Sequence, residues 1–186
     1  MIQGRIYFGS ACNNMVNLDD IHPQMRAKLA AITLVVSDVD GVLTDGRMYL
    51  LSSGEEARAF NVKDGLGTRL LKDAGVSVAW LSAARDTSLV RTRASHLGVD
   101  LVDVGDGDKG ERFATICEAL TTTAARTLYI GDDVNDLAPM TLAGVAVCPA
   151  DAMTHVKNAA ALTLTQKGGE GAFREIAELI LAARCA

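Results

Sequence analysis

The sequence predicts an α/β fold, an open, doubly wound parallel sheet with helices on both faces, and three observations carry that prediction. Short β-branched apolar runs alternate along the chain with segments of helical apolar spacing. The first run, Ile32 to Val36, is apolar on both sides rather than alternating, as a central parallel strand buried on two faces must be. The 186 residues are 49% hydrophobic and 22% charged, with 17 Gly and 3 Pro, which excludes a disordered or collagen-like chain and fits one ordinary globular domain.

Residues 1–20 show no steady periodicity and carry Gly4, Gly9 and Asn13-Asn14, so they are read as a poorly specified lead-in to a single domain over 21–186. Pro23 to Leu29 predicts a short helix and Ile32 to Val36 the first strand. Arg47–Leu51 and Ala57–Asn61 flank Ser52-Ser53-Gly54-Glu55 and predict a β-hairpin that projects over the end of the first strand. Strands follow at Val76 to Leu81, Leu101-Val102, Thr127 to Ile130, Val145 to Val147 and Leu162 to Leu164. Between them, helical spacing is set by Leu66, Leu70, Leu71 and Ala74, by Leu89, Val90, Ala94 and Leu97, by Phe113, Ile116 and Leu120, and by Leu137 and Met140. Lys167 to Gly171 reads as a loop, and Ala172 to Ala183 as a closing amphipathic helix with Phe173, Ile176, Leu179 and Ile180 on one face. The alternation implies βαβ crossovers, a Rossmann-like arrangement in which ligands sit at the carboxyl ends of the strands.

The net charge of −5 argues against a nucleic-acid or anionic-membrane surface, both of which need excess Lys and Arg. An anionic small molecule then requires a cation or a few placed basic side chains. The four cysteines are far apart, with no CxxC pair, so neither a zinc site nor a disulfide framework is suggested and reduced thiols are expected. No apolar run approaches the ~20 residues that span a bilayer, and the first residues do not read as a secretion signal, so the expected location is the cytoplasm.

The first strand runs into Ser37-Asp38-Val39-Asp40-Gly41, two acids two residues apart at the ligand end of the sheet. A second acidic cluster, Gly131-Asp132-Asp133-Val134-Asn135-Asp136, follows the strand Thr127 to Ile130. Gathered carboxylates repel and hold their protons unless a cation lies among them, and hard oxygen ligands favour Mg²⁺. Asp133 or Asn135 can instead cap the helix that follows. Ser82 ends the strand that starts at Val76, and Lys109 opens the helix containing Phe113, so a hydroxyl and an ammonium join the acids at one sheet edge.

Taken in order, Asp38-Val39-Asp40-Gly41-Val42-Leu43-Thr44, Ser82, Lys109 and Gly131-Asp132-Asp133-x-x-Asp136 resemble the four motifs of the haloacid dehalogenase superfamily of phosphatases. The hairpin and Phe60-Asn61-Val62-Lys63-Asp64-Gly65 narrow the likeness to its capless branch, which acts on phosphate esters of 2-keto-3-deoxy sugar acids. The resemblance covers about Ile32 to Glu178. It implies that Asp38 attacks phosphorus to form an aspartyl phosphate, and that Asp40 protonates the leaving oxygen and then activates water. By the same likeness Mg²⁺ is held by Asp38, the Asp40 carbonyl and Asp132, with Asp133 and Asp136 supporting. Ser82 and Lys109 would meet the transferring phosphoryl group, and Asn61, Lys63, Asp64, Arg85 and Arg93 the sugar acid. The likeness further implies a homotetramer whose hairpins pack together and in which a neighbouring subunit closes each site, burying Tyr49, Leu50, Leu51 and Phe60 between chains. An octulosonate 8-phosphate is the implied substrate and a nonulosonate 9-phosphate the alternative.

The chain departs from that pattern in two places. Ala83-Ala84 adds a residue between Ser82 and Arg85, so counting from the strand selects Ser82 as the phosphate-binding position and counting back from the helix selects Ala83. Glu170 stands where the octulosonate enzymes tend to have Arg, a feature closer to the nonulosonate group. A receiver domain would place its acceptor Asp where Ser82 stands, and a dinucleotide-binding domain would need GxGxxG after the first strand. A non-catalytic assembly module of a sugar-acid cytidylyltransferase system would lack the acids.

Overall fold

The computed structural model describes residues 18, 21–84 and 88–185; the lead-in apart from Leu18, and Arg85, lie outside these. Helix α1 (Pro23–Ala31) is followed by β1 (Leu34–Ser37), the hairpin strands β2 (Tyr49–Leu50) and β3 (Glu56–Ala57), and α2 (Val62–Asp73). Next come β4 (Ser77–Ser82), α3 (Ser88–Leu97), β5 (Leu101–Val104), α4 (Lys109–Ala119) and β6 (Thr127–Ile130). The chain ends with α5 (Leu137–Leu142), β7 (Val145–Cys148), α6 (Thr154–Ala159), β8 (Leu162–Thr163) and α7 (Ala172–Cys185). Six strands form one sheet in the order β5-β4-β1-β6-β7-β8, every neighbouring pair parallel.

Strand β1 lies between β4 and β6, and its four residues are all buried, with Leu34, Val35 and Val36 apolar on both sides because both sides meet helices. The two faces separate by the period of two along each strand. Val35, Val78, Trp80, Leu128, Ile130 and Val145 pack against α1, α2, α3 and α7 through residues such as Leu29, Leu71, Val90 and Phe173. Leu34, Val36, Ala79, Leu81, Tyr129 and Ala146 pack on the other face against Phe113, Ile116, Met140 and Val156 of α4, α5 and α6.

Two predicted features shift. The hairpin ladder is shorter than expected, Tyr49 pairing Ala57 and Leu50 pairing Glu56, because Phe60 leaves it to stack on Trp80 with ring centroids 6.0 Å apart. Asn61 then caps α2, its Oδ1 accepting the Lys63 N–H at 2.9 Å. Phe60 thus packs against its own chain's core, while Met48, Tyr49, Leu50 and Leu51 are exposed. Leu66, expected on the buried face of α2, is also exposed; that face is made by Gly65, Gly67, Thr68 and Leu71. A Cβ at Gly67 would come within 3.0 Å of the Arg174 backbone, so the glycine sets how closely α2 and α7 approach. Cys117 and Cys148 are buried free thiols, whereas Cys185 is disulfide-bonded, which corrects the expectation that all the thiols are reduced.

The turn after β1 is braced from the far end of the chain. The Gly169 N–H donates to the Val42 carbonyl at 2.9 Å, and a Cβ on Gly168 would stand 1.9 Å from the Gly41 carbonyl oxygen. Gly168→Ala must therefore push the 167–171 loop off the β1 turn. The expected loss is about 1–3 kcal/mol, as for overpacked cores, read as a lower urea midpoint at unchanged m-value.

Candidate active site

Each chemistry-bearing residue stands at the carboxyl end of a strand or in the loop that follows it. The Asp38 N–H donates to the Ile130 carbonyl at 2.9 Å, which extends the β1–β6 pairing by one residue and delivers the Asp38 side chain beside the loop after β6. Gly41 then turns the chain at φ +92°, and a Cβ there would lie 2.1 Å from Asp132 Oδ2. Only glycine allows the two acidic loops to approach this closely. Asp38, Asp132 and Asp136 each place one carboxylate oxygen within 4.8 Å of the others.

Lys109 is the positive partner of this cluster. Its Nζ lies 2.9 Å from Asp38 Oδ1 and 2.7 Å from Asp136 Oδ1, with the Lys109 side chain 3% exposed. The lysine predicted to lie in a first turn is thus buried between two carboxylates. Asp136 is fully engaged, since Oδ1 also accepts the Tyr129 hydroxyl at 2.7 Å and Oδ2 accepts the N–H groups of Asp132 and Asp133 at 2.9 and 3.3 Å. Four donors fill the acceptor sites of one carboxylate. Asp133 takes the capping role, its Oδ1 accepting the Val134 N–H and its backbone N–H bonding Asp136 in a capping box.

Electrostatics separate the acids. Burial raises the Asp38 carboxyl well above the usual range, and Asp136 and Asp132 raise it further against the pull of Lys109. Burial, then Asp136 and Asp133, push Asp132 up to about 7. Burial alone would lower the pKa of Lys109, but Asp38 and Asp136 outweigh it and hold the ammonium charged. One ammonium does not balance three carboxylates, and such a deficit of positive charge is what a divalent cation relieves. The donor set fits a hard ion: Asp38 and Asp132 have carboxylate oxygens to offer, whereas those of Asp136 are committed to protein donors.

The site opens into a cavity of about 820 Å³ lined by residues that include Asp38, Asp40, Ser82 and Asp132, with Arg58 and Glu56 reaching in from the hairpin. Ser82 is the last residue of β4 and 1% exposed, and its Oγ accepts the Ala84 N–H at 3.0 Å. Ala83 and Ala84 follow it on the same cavity wall. Asp40 pairs with Arg58, Nη1 to Oδ2 3.2 Å. Burial raises its carboxyl above the ordinary range while Arg58 and then Lys109 lower it. Sequence reading missed Arg58 because an arginine beside a hairpin strand carries no signal of what it faces. Tyr129 reads from the sequence only as a strand residue.

Among the described residues, Asn61, Lys63, Asp64 and Arg93, expected to meet a sugar acid, are not among those lining this cavity. Asn61 donates from Nδ2 to the Gly169 carbonyl at 2.9 Å, tying α2 to the 167–171 loop. Lys63 is exposed near Gly171. Arg93 lies over the Phe60 ring, 6.0 Å from its centroid. Asp64 is buried and accepts the Arg174 N–H at 2.9 Å, capping the start of α7. Arg85 lies outside the described residues, and Glu170 is exposed on the bracing loop.

Residues 70–176 match the model of the haloacid dehalogenase-like hydrolase family. The chain is 42% identical over 160 residues to the 3-deoxy-D-manno-octulosonate 8-phosphate phosphatase of Haemophilus influenzae, covering 86% of this chain and 88% of that protein. The crystal structure of the phosphatase of that name from Yersinia pestis superposes with a TM-score of 0.85 at 36% identity, over 88% of each chain. The corresponding Moraxella catarrhalis enzyme, solved in complex with a magnesium ion, a phosphate ion and a KDO molecule, gives a TM-score of 0.84 at 34% identity over 87% of this chain and 92% of that one.

Burial pushes Asp64 up to about 6 against the pull of the N–H groups of Arg174, Gly171 and Phe173, and its Oδ2 is buried without a partner among the described residues. A carboxyl whose pKa is raised by folding favours the native state in acid, and this contribution is lost as pH rises through about 6. Relative to Asp64→Asn, which keeps an acceptor for α7, the native chain should lose on the order of 2–3 kcal/mol between pH 4 and 7. Urea unfolding of both proteins across that range measures it.

Proposed function

This chain belongs to the haloacid dehalogenase-like hydrolases, and from that membership we propose that it is a Mg²⁺-dependent phosphatase of 3-deoxy-D-manno-octulosonate 8-phosphate. The observation that carries the reading is the buried Asp38, paired with Lys109 and facing Asp132 across Gly41 at the mouth of a cavity that also holds Asp40 and Ser82. A carboxylate is a competent nucleophile at neutral pH, and two successive displacements let one neighbouring acid serve both halves of a hydrolysis.

In this reading Asp38 attacks phosphorus while Asp40 gives its proton to the leaving sugar oxygen. The free sugar acid departs and the phosphoryl group remains on Asp38. Asp40, now a carboxylate, takes a proton from the water that attacks the aspartyl phosphate, which releases inorganic phosphate and restores Asp38. Lys109 and the Ser82 hydroxyl face the oxygens of the transferring group, where fixed donors lower the barrier most. Asp38, Asp132 and the Asp40 carbonyl would hold the Mg²⁺, whose charge offsets that of the phosphate ester and the carboxylates when it is bound. Asp136 acts by holding Lys109, and Asp133 by capping the loop that carries Asp132.

Asn61, Lys63, Asp64, Arg85 and Arg93 are proposed to shape the sugar-acid end of the site. For Asn61 and Asp64 the contacts support a scaffolding role, through the 167–171 loop and α7. Glu170 is the feature that favours a nonulosonate 9-phosphate as the alternative substrate. The retained acids and open cavity weigh against an assembly module without catalysis. The cytoplasm is the proposed location: no helix among the described residues is long and apolar enough to cross a membrane.

Phosphate release should follow octulosonate 8-phosphate with kcat/KM at least about tenfold above that for nonulosonate 9-phosphates, a discrimination within reach of polar contacts to a sugar acid. EDTA should stop turnover and Mg²⁺ restore it, and Asp38→Asn should leave none measurable. A substrate ratio near one would sink the octulosonate assignment, and turnover by Asp38→Asn would sink the nucleophile. Met48, Tyr49, Leu50 and Leu51 form an exposed apolar edge on the hairpin of a kind that marks an interface, and the proposed tetramer covers it. Leu50→Glu should shift the sedimentation profile from tetramer towards smaller species; an unchanged profile, or a native chain that sediments as a monomer, counts against that assembly.

A further inference from the structure

Arg58 follows β3 directly and reaches from the hairpin to the proposed proton donor. Nη1 lies 3.2 Å from Asp40 Oδ2 and Nη2 lies 3.4 Å from Glu56 Oε2. Its side chain is 3% exposed although Asp40 is 37% exposed, and its Nε is buried with no hydrogen-bond partner among the described residues. A guanidinium kept out of water with one N–H unsatisfied is costly, and a two-residue ladder such as β2–β3 gives little in return. Its placement in the cavity wall beside Asp40 points instead to the chemistry.

A half-exposed carboxylate samples several rotamers, whereas proton transfer to a leaving oxygen requires one of them. By engaging Oδ2, Arg58 fixes the Asp40 side chain and leaves Oδ1 for the leaving oxygen. We propose that Arg58 is a positioning residue for the phosphoryl transfer, holding Asp40 so that its proton passes to the leaving oxygen as the bond from that oxygen to phosphorus breaks and the Asp38–phosphorus bond forms. The hairpin is then an orienting element of the site as well as a surface. This assignment rests on the phosphatase reading above, and its test separates the two.

The discriminating quantity is kcat/KM, which reports the first transfer alone, for three esters: the octulosonate phosphate, a plain primary alkyl phosphate without a carboxylate, and 4-nitrophenyl phosphate, whose leaving group needs no proton. Arg58→Ala should lower the value about 30- to 100-fold for both alkyl esters, near the lower end of what a well-placed acid supplies, and by less than about threefold for the nitrophenyl ester. Arg58→Lys, which keeps one donor for Asp40, should recover at least about tenfold on the alkyl esters. Retained nitrophenyl turnover also reports that the variants fold. A loss confined to the sugar-acid ester would make Arg58 a direct substrate ligand and overturn the proposal. An equal loss on all three would make it structural, and no loss on any would remove it from the reaction. A native chain inert on all three esters would overturn the phosphatase reading and this assignment with it.

Discussion

A lysine ammonium held between two buried carboxylates is the interaction on which the rest of the site depends. Lys109 joins the start of α4 to Asp38 at the end of β1 and to Asp136 in the loop after β6. Removing one member of such a group strands the others in a poorly solvated place at a cost of about 3–5 kcal/mol. The pairing therefore fixes the relative positions of three strand ends. Tyr129 and two backbone N–H groups complete the hydrogen bonding of Asp136, so the scaffold is rigid where Asp38 is held.

The same cluster is short of positive charge. Asp38 and Asp132 bind protons more tightly than ordinary carboxylates because burial and neighbouring acids oppose their charge. This resolves the apparent conflict between an acidic chain and an anionic substrate: the net charge of −5 is summed over the whole chain, whereas the site gathers part of its acids where they attract a cation. Asp136 falls within the same 4.8 Å cluster, but its lone pairs are taken by protein donors. Proximity alone would count it as a ligand, and hydrogen-bond accounting makes it a support.

Glycines permit the approaches that build the site. Gly41 lets the β1 turn pass against Asp132, and Gly168 lets the 167–171 loop lie on that turn. Residues more than a hundred positions apart thus brace one another, and Asp64 extends the brace by capping α7. The hairpin is less integrated. Tyr49, Leu50 and Leu51 are exposed, and it meets the site through Met48, Glu56 and Arg58.

Much of this was legible in the chain. The apolar run ending at Val36, the matching run at Thr127–Ile130 and the helical spacing between them determined a parallel sheet with its acids at one edge, since periodicity is local and survives without knowledge of neighbours. The likeness of Asp38, Asp40, Ser82, Lys109 and Asp132 to the superfamily's motifs pointed to the chemistry to expect. What the sequence could not carry was which partner each side chain meets. Lys109 buried rather than solvated, Asp64 turned to a helix start, Leu66 exposed beside a face of glycines, and Arg58 set on Asp40 were decided by tertiary structure alone. Each depends on the distance between elements far apart in the chain, and packing fixes that distance where no local pattern records it.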